Sequence, residues 1–397
     1  MAGEKVIIIG HGFSSRLGMI RTFGKMGCDV TVVALSSPQK SGRYRKPVDC
    51  YSKYVSRFLY SRQGDREGLV DLLLRECVVK DQKPLLIPDS DFAASTIDLS
   101  MDRLSGHFRF PHVDHTPGQV VAWMDKLRQK DLAREVGMHV APGCLVRIVD
   151  GKYELPGSIQ YPCFPKPLAS AYGGKRGLRK CRDEKALRAL LDGMRVKDMD
   201  VLVEDYVEIS HEYAVVGFAD RNKVAIPAVI YLAHKGVGAH VGVAKIGQLL
   251  PRTGFEELLG QFADFVRRTH FTGLFDIDFY ESEGTFYFGE MNMRYGASGY
   301  ALYKAGINLP KLLYQSLSGL PLDETADLTA PLSYMNERVC LDDWFAGKTS
   351  TAELRKELKE KERGFVYDPD DPEPYRRMKR MIRDLAPRRM IRFLRNR

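Results

Sequence analysis

The chain lacks most features that reveal a function from one short stretch. Its seven cysteines (Cys28, Cys50, Cys77, Cys144, Cys163, Cys181 and Cys340) are scattered, odd in number and free of CxxC pairs. That pattern excludes the common zinc spacings and argues against a disulfide framework, so a reduced, cytoplasmic interior is expected. No stretch approaches the roughly 20 apolar residues of a membrane helix. Met1–Lys5 runs straight into the short apolar Val6-Ile7-Ile8-Ile9, without an export-type core, so no signal peptide is expected. The phosphate-loop pattern GxxxxGK[ST] is missing, and there is no internal repeat. Gly10-His11-Gly12-Phe13-Ser14-Ser15 lacks the third glycine of a dinucleotide fingerprint. Ser36 and Ser37 stand where that fingerprint would carry an acid after the second strand. An NAD-dependent oxidoreductase is therefore disfavoured.

What is present suits a globular protein of two or three domains: 397 residues, 44% of them hydrophobic. The net charge of +9 is uneven, with a strongly basic end, RRMKRMIRDLAPRRMIRFLRNR, from Arg376 to Arg397. Such a tail is a candidate contact for a membrane surface or an acidic partner, or simply a solvated basic helix. Nucleic acid is a weak candidate, because the basic residues cluster there without interleaved aromatics on a sheet.

In order, Val6–Ile9, a helix over Ser14–Met26 and a strand over Val30–Leu35 open a parallel α/β sheet. A helix over Gly68–Lys80 and the strand Pro84–Pro88 continue it. Asp89-Ser90-Asp91 then lies where such sheets place ligands, although helix capping is the favoured role. One helix is expected over Gln119–Val136, ended by Gly137. Tyr161–Pro167 is a proline-stiffened strand carrying Lys166, and Ser170–Gly177 is a glycine-rich basic loop whose amides can approach phosphate. Strands follow at Val201–Val207, His211–Phe218 and Val224–Tyr231. Phe255–Arg268 reads as a helix, Leu302–Leu317 as one closing helix, and Thr351–Glu362 as a charged helix.

Phe271–Tyr300 is the most informative stretch. Gly273–Tyr280 and Thr285–Phe288 read as a hairpin around Glu281–Gly284, running on into Glu290-Met291-Asn292-Met293-Arg294. Alternate strand residues share a face, so Glu290, Asn292 and Arg294 should project together, with Asp278 near them from the partner strand. Two carboxylates and an amide are hard oxygen ligands that suit Mg²⁺. The adjacent arginine suits an anion that develops during phosphoryl transfer.

The ordered set resembles the ATP-grasp superfamily over about Val120–Leu317: Lys126, Lys166, the glycine-rich loop, an acidic strand end, Lys235, then D…E-x-N-x-R. The resemblance implies an N-terminal Rossmann-like pre-ATP-grasp domain of α/β class, then a two-lobed α+β ATP-grasp fold. Expected bounds are 1–115, 116–205 and 206–322, with a C-terminal extension over 323–397. By the same resemblance, Lys126 and Lys166 would meet nucleotide phosphate, and Ser170, Gly173 and Gly174 would belong to a lid. Glu204, Tyr206 and Val207 would form the hinge reading adenine, and Glu212 would hold the ribose. Lys235 would meet the terminal phosphates. Asp278, with Asp276 as its alternative, would join Glu290 and Asn292 as ligands of Mg²⁺ or Mn²⁺, and Arg294 would stabilise an acyl phosphate.

A narrower likeness is to D-aspartate ligases and carbamoyl-phosphate-synthase-like proteins. It rests on Tyr51–Val55, Leu86–Pro88, His107–Pro111, Lys235–Gly238 and Glu290–Gly296. It implies ATP-dependent joining of a small-molecule carboxylate and an amine, with an amino acid and a cell-wall precursor as candidate substrates. A nucleotide-binding protein without ligase activity is the alternative. The oligomeric state is left open.

Overall fold

The computed structural model describes residues 3–11, 13–36, 46–168, 179–194, 198–235 and 244–395. The N-terminal sheet contains β1 (Lys5–Gly10), β2 (Asp29–Ser36), β3 (Val55–Arg62) and β4 (Leu85–Pro88), all parallel, in the order β3-β2-β1-β4. Val6–Ile9 are fully buried because β1 is central and covered on both faces. That is why the strand reads as a continuous apolar run rather than an alternation. The helix Phe13–Lys25 covers one face, packing Met19, Ile20 and Phe23 against Val6, Ile8, Val30 and Val32.

Short β5 (His112–Val113) leads towards the second layer system. Here β6 (Gly143–Ile148), β7 (Cys163–Pro167) and β8 (Met199–Asp205) form an antiparallel sheet ordered β6-β8-β7. The helix Glu184–Gly193 lays Leu187, Leu190 and Leu191 onto Val146, Ile148, Val201 and Val203. The largest sheet has eight strands, six of them in the order β14-β13-β9-β11-β12-β15. Its members are β9 (His211–Ala219), β10 (Val224–Ala225), β11 (Val229–Lys235), β12 (Ala244–Leu250), β13 (Phe271–Ser282), β14 (Thr285–Asn292) and β15 (Leu332–Met335), with β5 attached to β13. One face is closed by the helix Glu256–Thr269, whose Leu259, Phe262, Phe265 and Val266 meet Phe275, Ile277, Phe279 and Phe288. The α/β sheet followed by α+β lobes agrees with the expected fold class.

Several elements break where the sequence promised continuity. The segment Gln119–Val136 forms two helices, Gln119–Trp123 and Lys126–Glu135. Asp125 caps the second by accepting hydrogen bonds from the amides of Leu127 (2.7 Å) and Arg128 (3.1 Å). Leu302–Leu317 also splits, into Gly299–Lys304 and Leu309–Leu317. Gly306 turns with φ +89°, and Asn308 caps the new helix. Val224–Tyr231 is interrupted between β10 and β11 at Ile226-Pro227-Ala228, because proline has no amide to donate to a ladder. The α-helix expected over Thr351–Glu362 stops at Glu357 and continues as 3₁₀ turns.

The C-terminal part is woven into the rest. β15 extends the large sheet by pairing with β12. Fully buried Arg21 reaches Asp371 (2.9 Å) and donates to the carbonyls of Phe365 and Val366 (both 2.8 Å). Buried Glu337 accepts from the amides of Phe365, Val366 and Tyr367. The basic end is a helix, Glu373–Arg395, whose first turns are anchored by buried Tyr375 and Met378. All seven cysteines are free, and no helix among the described residues is long and apolar enough to cross a membrane.

Candidate active site

The hairpin β13–β14 displays polar residues on one face and core residues on the other. Asp278 lies opposite Glu290, Asp276 opposite Asn292, and Tyr280 opposite Tyr287. Directly paired residues project to the same side, so these three pairs form rows on one face. β9 adds Glu212 beside Tyr280. Strict alternation would have put Glu290 on the side of Phe288, in the core. A bulge between the Asp278 and Phe279 positions prevents this, leaving Gly289 as the extra residue of β14. A side chain there would collide with the backbone, since a Cβ on Gly289 would lie 2.7 Å from the Asp278 carbonyl oxygen. The glycine therefore lets Phe288 and Met291 remain buried while Glu290 faces the cleft.

The helix Lys126–Glu135 forms the opposite wall. Gln129 fixes it to the hairpin, accepting from the Met291 amide (2.8 Å) and donating to the Met291 carbonyl (2.9 Å). Lys126, the first residue of that helix, pairs with Glu290 at 3.2 Å. Asp91, Lys126, Gln129, Glu290 and Asn292 line one small cleft. Arg294 donates from Nε to Asp91 (2.8 Å) and from its guanidinium to Asn292 Oδ1 (3.3 Å). Burial opposes the Arg294 charge, but Asp91, Asp276 and Asp278 more than offset it, so its pKa is raised and it stays a cation. Both aspartates of β13 therefore bear on Arg294, and Asp276 remains beside Asp278 as a candidate ligand.

Among the described residues, no group of three or more His, Cys, Asp or Glu is arranged to hold a metal ion. The donor set instead consists of carboxylates and the Asn292 amide. That fits a hard cation completing its shell with phosphate and water.

A second cluster lies between the three-stranded sheet and that helix. Glu204, 3% exposed, forms an ion pair with Lys130 at 2.6 Å through one carboxylate oxygen and with Lys166 at 2.7 Å through the other. Burial pushes the Glu204 pKa up, but the two ammonium groups prevail and hold it below the usual carboxylate range. Burial lowers Lys130, with Glu204 opposing. Tyr280 is raised by burial and then by the Glu204 charge, which ties the hairpin face to this cluster. At the end of β8, where the resemblance puts a hinge, the Asp205 and Tyr206 amides donate to the carbonyls of Pro142 and Pro162 (both 2.9 Å), so those two donors are already engaged. Val207 follows directly.

The structure thus brings Lys126, Asp278, Glu290, Asn292 and Arg294 together, and Lys166 with Glu204. Lys235 ends β11 opposite Ala244, and its side chain lies outside the described residues, as do Ser170, Gly173 and Gly174. Sequence reasoning does not single out Lys130, Tyr280 or the Gly289 bulge, and it ranks a ligand-side role for Asp91 below capping. It assigned Asp89–Asp91 to capping, yet Ser90 is the cap, accepting from Ala93 at 3.3 Å. This frees Asp91 to reach Arg294.

Residues 131–306 match the family model of the ATP-grasp domain. A search of curated proteins found no match in sequence. Among solved structures, N5-carboxyaminoimidazole synthetase from Staphylococcus aureus complexed with ADP is 18% identical, with a TM-score of 0.65 over 91% of this chain and 87% of that one. Biotin carboxylase from Campylobacter jejuni is 18% identical, with a TM-score of 0.62 over 83% and 75%. An L-amino acid ligase from Bacillus licheniformis is 16% identical, with a TM-score of 0.58 over 80% and 75%. At such identities the likeness is one of fold.

Proposed function

Residues 131–306 match the ATP-grasp domain, and from that premise we propose that the chain is an ATP-grasp protein acting as an ATP- and Mg²⁺-dependent carboxylate–amine ligase. The observation that carries this reading is the convergence of Lys126, Glu290 and Asn292 on one cleft, with Arg294 bonded to Asn292 and Asp278 opposite Glu290 on the same face. A carboxylate is a poor electrophile. Attack of one of its oxygens on the γ-phosphorus of ATP releases ADP and gives an acyl phosphate. An amine then attacks the acyl carbon, phosphate leaves with the bonding pair, and the amine proton passes to solvent or base.

The chain's own residues supply positioning and charge. Asp278, Glu290 and Asn292 would hold the metal, which when bound neutralises charge on the transferred group. We assign Lys126 and Lys166 to the nucleotide phosphates and Arg294 to the acyl phosphate, roles that suit their positive charge. Glu212, opposite Tyr280 on the neighbouring strand, is assigned to the ribose by resemblance. Lys235 and the loop with Ser170, Gly173 and Gly174 are assigned to the terminal phosphates and the lid by resemblance alone.

The substrates we favour are an amino acid and an amine such as a cell-wall precursor, in a cytoplasmic setting that suits the free thiols. The deciding experiment is phosphate release from Mg-ATP across a panel of amino acids, with cell-wall precursors and simple amines as co-substrates. ADP and phosphate appearing only with one acid–amine pair would establish the reaction and name both substrates. Tight ATP binding without turnover for any pair would favour the rival, a nucleotide-binding protein without ligase activity.

A further inference from the structure

Building on the nucleotide-site reading above, we propose that Lys130 is a positioning residue, the fixed counter-ion of Glu204 that lets Lys166 leave that carboxylate for a nucleotide phosphate. The two lysines on Glu204 are not equivalent. The Lys130 side chain is 3% exposed, whereas that of Lys166 is 28% exposed. Lys130 is also held from a second side by the Ala141 carbonyl, 3.5 Å from its ammonium. Its backbone is immobilised in turn, because the neighbouring Gln129 is bonded to Met291 in both directions. Lys166, near the end of β7, has a path to solvent and Lys130 has none.

This asymmetry has an energetic meaning. A buried carboxylate without a cation is strongly unfavourable, so a single lysine on Glu204 would be bound tightly and could not be surrendered cheaply. With Lys130 in place, moving the Lys166 ammonium to a phosphate leaves Glu204 still paired. Lys130 thus acts on the nucleotide only through Glu204 and Lys166. Because helix Lys126–Glu135 carries both Lys126 and Lys130, it serves the metal-side cleft and this triad together.

The test is calorimetric titration of MgADP into wild type, Lys130→Met, Lys130→Arg, Glu204→Gln and the double variant Lys130→Met/Glu204→Gln. Lys130→Met should weaken MgADP binding by about tenfold or more, and Lys130→Arg should regain most of the affinity. Removing Lys130 in the Glu204→Gln background should change affinity by no more than about twofold, because the charge it serves is gone. That last comparison holds even if Lys130→Met alone fails to fold. Wild-type-like affinity in Lys130→Met, or a tenfold drop between Glu204→Gln and the double variant, would overturn the inference while leaving the nucleotide site intact. Failure of wild type to bind MgADP would overturn the site reading itself, and this inference with it.

Discussion

Asp91 and Arg294, 203 positions apart in sequence, meet through a 2.8 Å hydrogen bond from Arg294 Nε. Asp91 opens the helix that follows β4, at the carboxyl end of the N-terminal sheet, whereas Arg294 follows β14. The N-terminal unit therefore orients the arginine assigned to the acyl phosphate. Asp91→Asn should lower kcat by about 10- to 100-fold, the usual effect of losing an orienting partner, with MgADP affinity unchanged. Arg294→Ala should cost more, about 10²- to 10³-fold, as for loss of a direct donor to a developing anion. Asp91→Glu should recover part of the loss. Steady-state phosphate release with the productive substrate pair measures all three, and an Asp91→Asn enzyme with normal kcat would exclude the positioning role.

Glu290 is both the partner of Lys126 and a member of the carboxylate pair with Asp278. Glu290→Ala should abolish turnover at ordinary Mg²⁺ by removing a metal ligand. Nucleotide without metal should still bind, since Lys166 and the hinge are untouched. Titrating ADP with and without Mg²⁺ separates the two effects. If the variant gains as much affinity from Mg²⁺ as wild type does, the ligand assignment is wrong.

The Gly289 bulge yields a prediction about stability as well as chemistry. A Cβ at this position must displace backbone, because its contact with the Asp278 carbonyl oxygen is 2.7 Å. Gly289→Ala should destabilise the protein by about 1–3 kcal/mol, as overpacking does. It should also weaken the Mg²⁺ dependence, since Glu290 would be turned from its row. A denaturant midpoint matching wild type would show that the bulge tolerates a side chain.

The hairpin was legible because aromatic and β-branched residues with a polar turn leave little alternative, and the acids of β13 alternate cleanly with Ile277 and Phe279. The bulge was not, since Phe286, Phe288 and Glu290 look like an unbroken alternation until the pairing is known. Lys130 was hidden for another reason. In KLRQKDLARE any cation could be solvated, and only the arrival of Glu204 from a distant strand buries this one. Asp91 sits beside a serine that caps equally well, so local chemistry could not tell which residue was free to act at long range. The split of Gln119–Val136 at Asp125 could have been inferred from an aspartate two residues before Leu127, a normal start signal within an apparently continuous helix.

The clasp between the N-terminal helix and the C-terminal segment should make stability depend on acid. Lys25 meets Asp368 at 3.0 Å, and the Tyr300 hydroxyl donates to the same carboxylate at 3.0 Å. Burial opposes the Asp368 charge, but Lys25 and Arg21 outweigh it and depress the pKa below the ordinary 3.8. Lys25 is raised above its ordinary 10.5, chiefly by Asp368 working against burial. A carboxylate depressed on folding contributes stability that is complete above its unfolded value and is lost as pH falls through the folded one. The lysine's contribution is complete below 10.5 and is lost only as pH rises through its raised value. The clasp should therefore hold across neutral pH and fail below the ordinary carboxylate range. Asp368→Asn should melt lower than wild type at neutral pH, and the two should converge as the pH falls well below the ordinary carboxylate value of 3.8. Thermal melts across that range decide the matter, and curves that stay parallel would mean that Asp368 does not carry the acid sensitivity.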